Sequence, residues 1–396
     1  MALRGFYFRA YPETDQEQLL RCTIGCVRLV RNKALTVRSA AWTNEKKSIG
    51  YLATSRLLTQ WKKQPDLAFL NEVSSVPLQQ ALRHLQTSYT NFYKKRAAYP
   101  KPKRKKSGGS AEFTRSAFRW DAVTQSLTLA KMDKPLDIHW SRPLPPGVVP
   151  TTVTVSLDAA GRWHVSLLCE DASIQPLPEI ESAIGIDAGL TTLATISTGE
   201  KIDNPQYEKR LEKKRKRLAR NFSRKKKGSK NQNKARLKLA RSDARVTDQW
   251  RDDIHKLSTR LVHENQVIVV EMLRIQNMVQ NRCLSRAISY ARWGMLFRLL
   301  EYKCAWYGRT FLKIDQYHPS SKKCSCCGHV LDELPLGIRH WTCPACKAEH
   351  DRDVNAARNI LAAGLAVTAC GPDVRQRILR TMLQLGLKQE SASVTK

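Results

Sequence analysis

The chain has 396 residues, 42% of them hydrophobic, which is enough for two or three domains with real cores and excludes a fibrous or fully disordered protein. Lys and Arg number 68 against 35 Asp and Glu, and a formal charge of +33 is tolerated chiefly beside a polyanion, of which nucleic acid is the commonest. The longest apolar runs, VIVV at 267–270 and ILAAGLAV at 360–367, are too short to span a bilayer, and MALRGFYFRAYPETD at the start lacks a signal-peptide core. A membrane partner is not expected, and the location expected is the cytoplasm.

LRGFYFRAY alternates apolar and polar residues like a half-buried strand, which Pro12 ends. Thr14 and Glu17 have capping-box spacing, and Leu20, Ile24, Val27 and Val30 then recur at helical spacing. Helices are predicted to about Phe92, with Leu78, Leu82 and Leu85 on one stripe. YKKRAAYPKPKRKKSGGS, from Tyr93, reads as a flexible basic loop. Period-two segments follow: SLTLAKM, TTVTVSLD and RWHVSLLCE, the last two joined by the turn AAG at 159–161. They predict a small antiparallel barrel or sandwich that the first strand rejoins after the helical insertion. From 183 the pattern becomes AIGIDAG and TTLATIST, a long helical tract, the buried strand QVIVVE, a helix near 285–306, the strand FLKID, a cysteine segment and a last helix. Strands alternating with long helices predict a mixed α/β domain. The tail ending SASVTK is predicted to be disordered.

Eleven cysteines in a chain without a secretory signal suggest reduced thiols. Cys22, Cys26, Cys169, Cys283, Cys304 and Cys370 are scattered and read as small buried hydrophobes. Cys324, Cys327, Cys343 and Cys346 instead form C-x2-C, fifteen intervening residues, then C-x2-C. That spacing suits two knuckles around one tetrahedral Zn²⁺, and four thiolates leave no position open for water, so the zinc is structural. Cys326 competes with Cys327, but Gly328 after Cys327 permits the tight turn of a knuckle.

Asp187 ends the apolar strand AIGI and Glu271 ends VIVV. A carboxylate there is costly unless paired or metal-bound, and for either alone an ion pair with a nearby Lys or Arg is an equal reading. With Asp353 they form a more specific set, since three acids at one sheet edge can hold two Mg²⁺ ions for phosphodiester hydrolysis. Within HDRDVNAARNIL, Asp351 fits a helix N-cap, while Asp353 shares a face with Ala356, Ala357 and Ile360 and points toward the sheet.

The order GIDAGL, IVVEML, C-x2-C…C-x2-C and HDRDVNAARNI resembles the TnpB proteins of insertion sequences, compact relatives of the type V CRISPR effector nucleases. The resemblance covers nearly the whole chain. It implies a multidomain α+β protein: a wedge-like barrel over 1–11 and 112–176, a helical recognition insertion over 12–111, an RNase H-like (RuvC) domain over 177–319 and 348–380, a zinc ribbon over 320–347 and a disordered tail over 381–396. It also implies RNA-guided, Mg²⁺-dependent cleavage of double-stranded DNA beside a short transposon-associated motif. Asp187, Glu271 and Asp353 would be the catalytic and metal-binding acids. The guide RNA would come from the transposon end, and the protein would act as a monomer with it in a bacterial or archaeal cell, near the nucleoid. Lys347 departs from the pattern, because such ribbons often place Gly there.

Between Lys209 and Arg245 stand eighteen Lys or Arg in thirty-seven residues, opposed by Glu212 and Asp243 alone. That density points to polyanion binding. Leu211, Leu218 and Phe222 suggest that one face still packs, and Trp250, Ile254, Leu257 and Leu261 read as a core seam. KKRAAYPKPKRKK and EFTRSAFRW could grip RNA and stack on bases, although Phe113, Phe118 and Trp120 fit the barrel core as well. Two other functions use some of these features. A DDE-type transposase also carries three acids, but in the order Asp, Asp, Glu. A nonenzymatic zinc-ribbon regulator would leave the three acids unexplained.

Overall fold

The computed structural model describes residues 2–105, 108–145, 147–335 and 337–369. Cys370, the end of the predicted nuclease domain and the predicted disordered tail lie outside the described residues. Two units are compact: one holds the residues up to Ile174 with Arg217–Ala244, the other Gln175–Lys216 with the described residues from Arg245 onward.

The first unit begins with β1 (Ala2–Ala10), whose alternation turns Phe6, Phe8 and Ala10 inward and leaves Leu3 and Tyr7 exposed. Three helices follow, α1 (Thr14–Glu45), α2 (Tyr51–Trp61) and α3 (Ser75–Tyr93). At the start of α1 the expected Thr14–Glu17 box is replaced by a contact one residue earlier, where the buried Gln16 side chain accepts from the Glu13 N–H at 3.1 Å. The Gln16 amide also donates to the carbonyls of Lys134 and Pro135, so tertiary partners decide which polar residue sets the helix start. Leu20, Ile24, Val27 and Val30 of α1 and Leu78, Leu82 and Leu85 of α3 line one core.

The basic loop after α3 is pinned rather than free. Arg31 donates to the Lys101 carbonyl, Asn32 exchanges two hydrogen bonds with the Lys103 backbone, and the Ser39 and Tyr99 hydroxyls lie 2.8 Å apart.

The strands β2 (Gly109–Thr114), β3 (Phe118–Asp121), β4 (Ser126–Leu129), β5 (Ile138–His139), β6 (Pro150–Leu157) and β7 (Trp163–Asp171) complete this unit. They make an antiparallel sheet of order β2-β6-β7-β1-β5 and a separate β3–β4 ribbon. The first strand does rejoin this sheet, pairing with β7 from Ala2↔Asp171 to Ala10↔Trp163, while β2 and β5 stand at the sheet edges. Phe113 is buried, and Phe118 and Trp120 pack on the same core, the Trp120 indole donating to the Val148 carbonyl. Packing, not base stacking, accounts for these three rings.

The second unit contains β8 (Ala183–Asp187), β9 (Thr192–Ile196) and β10 (Lys201–Asp203), the last of which is too short and polar to register as a strand in the sequence. The predicted helical tract is two helices, α4 (Tyr207–Ser223) and α5 (Lys230–Glu264), each with residues assigned to both units. β11 (Val267–Glu271), the short α6 (Ile275–Met278), α7 (Ser285–Ala291), α8 (Trp293–Tyr307) and β12 (Thr310–Ile314) follow. The helix predicted near 285–306 is broken at Arg292, which adopts a left-handed φ of 51°. The sheet order is β10-β9-β8-β11-β12, with β8, β11 and β12 parallel and β9 and β10 antiparallel. Ile184, Ile186, Ile268 and Val270 face a core that also receives Trp250, Ile254 and Leu261 from α5.

The chain then forms a small hairpin of β13 (His340–Thr342) and β14 (Glu349–Asp351) and ends in α9 (Arg352–Ala369). Ala356, Ala357 and Ile360 of α9 are fully buried. Gly185 permits this approach: a side chain there would stand 2.7 Å from the Leu361 nitrogen and closer still to the Ala357 carbonyl. Of the scattered cysteines, Cys26, Cys169 and Cys304 are buried as expected, but Cys22 and Cys283 are exposed. Among the described residues no helix is long and apolar enough to cross a membrane.

Candidate active site and metal centre

The parallel register Val269↔Gly185 and Val270↔Ile186 carries β8 and β11 out of the sheet together, so Asp187 and Glu271 end adjacent strands at one edge. Apolar residues precede each acid because both strands are covered on both faces; the first position beyond that cover is where a carboxylate can stand. Protein atoms crowd Asp187, and that burial, followed by the Asp353 carboxylate, pushes its pKa up to about 6 against the pull of Arg352, the Ala188 N–H and Arg339. Burial, then Asp187, then Asp315, pushes Glu271 up to about 7. Asp187 thus stands in the field of Asp353, and Glu271 in that of Asp187 and Asp315.

Asp353 enters from the first turn of α9, with its side chain 24% exposed. Asp351 takes the capping position: its Oδ1 accepts from the N–H groups of Asp353 at 3.1 Å and Val354 at 3.0 Å, and its Oδ2 pairs with Lys201 at 2.7 Å. The two aspartates therefore differ in partner, one fixing the helix start and the other facing Asp187. Asp353 raises Asp187 and Asp187 raises Glu271, so the three candidate acids are linked pairwise through Asp187. Their oxygen donors and shared negative field suit a hard divalent cation.

Two neighbours of this site were not singled out in the sequence. Asp315 directly follows β12, whose Ile314 pairs with Glu271, so it obeys the same rule of an acid closing an apolar strand. FLKID carried that signal. Arg339 ion-pairs with Asp353 at 3.1 Å, and its carbonyl accepts from the Arg352 N–H at 2.8 Å. Nothing in the local sequence distinguishes it from other arginines.

The thiols of Cys324, Cys327, Cys343 and Cys346 all lie within 4.8 Å of one another. The separations Cys324–Cys346 and Cys327–Cys343 are both 3.6 Å, close to the ~3.8 Å that tetrahedral Zn–S bonds of ~2.3 Å require. Cys326 is exposed and outside the cluster. The two knuckles repeat one geometry: Gly328 N–H donates to the Cys324 carbonyl and Lys347 N–H to the Cys343 carbonyl, both at 2.9 Å. Gly328 and Lys347 both take positive φ, 81° and 63°, so the Lys departs from glycine at a position whose backbone is the glycine one. His350, on β14, brings Nε2 to 3.0 Å from Cys324 Sγ.

Sheet order, acid placement and a four-thiol cluster beside the last helix define a mixed α/β protein with a four-cysteine insert that could hold a metal ion. Residues 164–282 match the family model described as "Probable transposase" of the OrfB_IS605 type, and residues 293–360 match that of the "Cas12f1-like, TNB domain". Residues 1–47 match a "Helix-turn-helix domain", although here they form β1 and the single unbroken α1. A Streptomyces pristinaespiralis protein named "Putative RNA-guided DNA endonuclease" is 57% identical over 99% of this chain and 97% of its own length. Escherichia coli K12 has one named "Putative RNA-guided DNA endonuclease InsQ", 32% identical over 94% and 95%. In a solved "Cas12f1-sgRNA-target DNA complex" the effector has a similar fold, with TM-score 0.55 at 12% identity over 91% of this chain and 98% of that one. The chain belongs to the TnpB family of IS605-type insertion sequences.

Proposed function

We propose that this protein is an RNA-guided, divalent-metal-dependent DNA endonuclease of an insertion sequence, cutting double-stranded DNA beside a short transposon-associated motif. The observation that carries the reading is that Asp187 and Glu271 end adjacent parallel strands, with Asp353 raising Asp187 and Asp187 raising Glu271. Relatives named RNA-guided DNA endonucleases at 57% and 32% identity support it. The acid order Asp, Glu, Asp speaks against a DDE transposase despite the wording of the family model.

In this reading Asp187, Glu271 and Asp353 hold Mg²⁺, which when bound supplies a water nucleophile and neutralises the leaving oxygen. The protein's own share is to fix three oxygen donors before substrate arrives; burial and mutual repulsion favour protons on Asp187 and Glu271, so a divalent cation would bind by displacing them as pH rises. Arg339 supplies a positive group beside Asp353 for a phosphate to meet. Cys324, Cys327, Cys343 and Cys346 hold one structural Zn²⁺. The domain limits expected from the sequence, the RNase H-like character of the sheet, a monomer on its guide RNA, and a cytoplasmic, nucleoid-proximal site of action belong to the same proposal.

The basic residues 209–245 would track phosphates; α4 has no buried residue, and its lysines and arginines at 209–210, 213–217 and 220 are exposed. Base pairing with the guide would read the target, leaving the protein channel, motif reading and scission. The test is to sequence the RNA that copurifies and to assay cleavage of DNA matching it. One discrete structured RNA and Mg²⁺-dependent cuts lost in Asp187→Ala are expected; featureless RNA with no matched cleavage would overturn the reading.

A further inference from the structure

α9 uses two faces. Ala356, Ala357 and Ile360 meet the sheet, whereas Asn355 and Asn359, one turn apart and only 1% and 4% exposed, meet the segment entering the first knuckle. Asn355 Nδ2 donates to the Lys323 carbonyl at 2.8 Å and lies 3.5 Å from that of Ser320, while its Oδ1 accepts from the Ser325 N–H at 2.9 Å. Asn359 Nδ2 donates to the same two carbonyls, at 2.6 Å for Lys323 and 2.8 Å for Ser320. One asparagine amide thus grips the peptide groups on both sides of Cys324, a member of the four-thiol cluster.

Asparagine is a poor choice for a helix interior, and burying its amide is costly unless every polar atom is partnered. Here those atoms serve the Ser320–Ser325 segment rather than the helix that carries them. Asp353 stands two residues before Asn355 on the same rigid turn. Two amides of α9 are thus hydrogen-bonded to the backbone that carries the first knuckle's Cys324.

We propose that Asn355 and Asn359 are positioning residues through which the four-cysteine metal site holds Asp353 in its working place. This rests on the nuclease reading above. Loss of the ribbon metal then slows cleavage while guided binding to DNA is kept.

The test compares Asn355→Ala, Asn359→Ala and wild-type protein stripped of metal by a chelator, then reloaded with Zn²⁺. Zinc release to a chromogenic chelator, backbone hydrogen exchange, target Kd and cleavage rate at saturating guide and target are measured. Asn355→Ala is expected to release zinc and to slow cleavage by about 10- to 100-fold, as loss of a supporting hydrogen bond does at metal sites. Its Kd stays unchanged, and exchange rises both at 320–325 and at 352–357. Stripped wild type shows the same faster exchange in 352–357 and the same slow cleavage, both restored by Zn²⁺. Should Asn355→Ala fail to fold, Asn359→Ala, which removes the two hydrogen bonds donated to Ser320 and Lys323, carries the comparison. Unchanged zinc release and helix exchange in the folded variants would overturn the proposal, as would a stripped wild type that keeps its α9 exchange and its cleavage rate. Wild type that cleaves no matched DNA strikes the nuclease reading alone, since zinc release and exchange still decide the clamp.

Discussion

Asp351 and Asp353 lie two positions apart and part company through geometry alone. Asp351→Ala removes an N-cap and is expected to lower stability by about 1 kcal/mol while cleavage persists. Asp353→Asn is expected to abolish cleavage with little change in melting temperature; Asp351 essential and Asp353 dispensable would reverse the assignment. Burial works to raise the Asp351 pKa but is outweighed by Lys201 and the helix N–H groups, which hold it low, so its contribution is present above the unfolded pKa and lost as pH falls through the folded one. Asp187 and Glu271 carry the opposite sign. Their folded pKa values of about 6 and about 7 exceed the ordinary 3.8 and 4.5, so metal-free protein loses stability as pH rises through that window. Thermal melts should therefore show Mg²⁺ stabilising the protein more at about pH 8 than at about pH 5, where protons already neutralise the acids. Equal Mg²⁺ effects at both would contradict a shared carboxylate site.

At the scale of elements, the proposed active site depends on how closely α9 lies on β8. Gly185→Ala forces a methyl group into the α9 backbone, and about 1–3 kcal/mol of destabilisation is expected, together with loss of cleavage as Asp353 is pushed away. Circular-dichroism melts and a cleavage assay on the same sample check both. Lys347→Gly should act in the other direction. Relieving a left-handed lysine at φ 63° is expected to stabilise the ribbon by about 1 kcal/mol, seen as slower zinc loss to a chelator. No change would mean that the lysine side chain offsets its backbone cost.

Over the whole molecule, charge is the dominant property. With a net +33 and eighteen basic residues within 209–245, guide and target affinity should fall steeply with salt, at a log–log slope of about −0.7 to −0.9 per phosphate neutralised. Filter binding across a salt series measures this, and a flat response would remove the basic tract from the interface.

The sequence by itself determined those features whose signal is local. Four cysteines at knuckle spacing, acids closing the apolar strands AIGI and VIVV, the Asp351 cap, and the 18-residue basic density can all be read from neighbours along the chain. What only the tertiary structure decided depends on which segments meet. Gln16 displaces Thr14 and Glu17 in shaping the start of α1 because Lys134 and Pro135, over a hundred residues away, need its amide. β10 exists because β9 offers it an edge, and the basic loop is held because α1 presents Arg31 and Asn32 to its carbonyls. Arg339 reaches Asp353, and Asn355 and Asn359 reach Ser320 and Lys323, by hydrogen bonds that carry no periodicity along the chain. Periodicity records which face of an element is dry; the partner that a polar atom finds is fixed only when that face is packed.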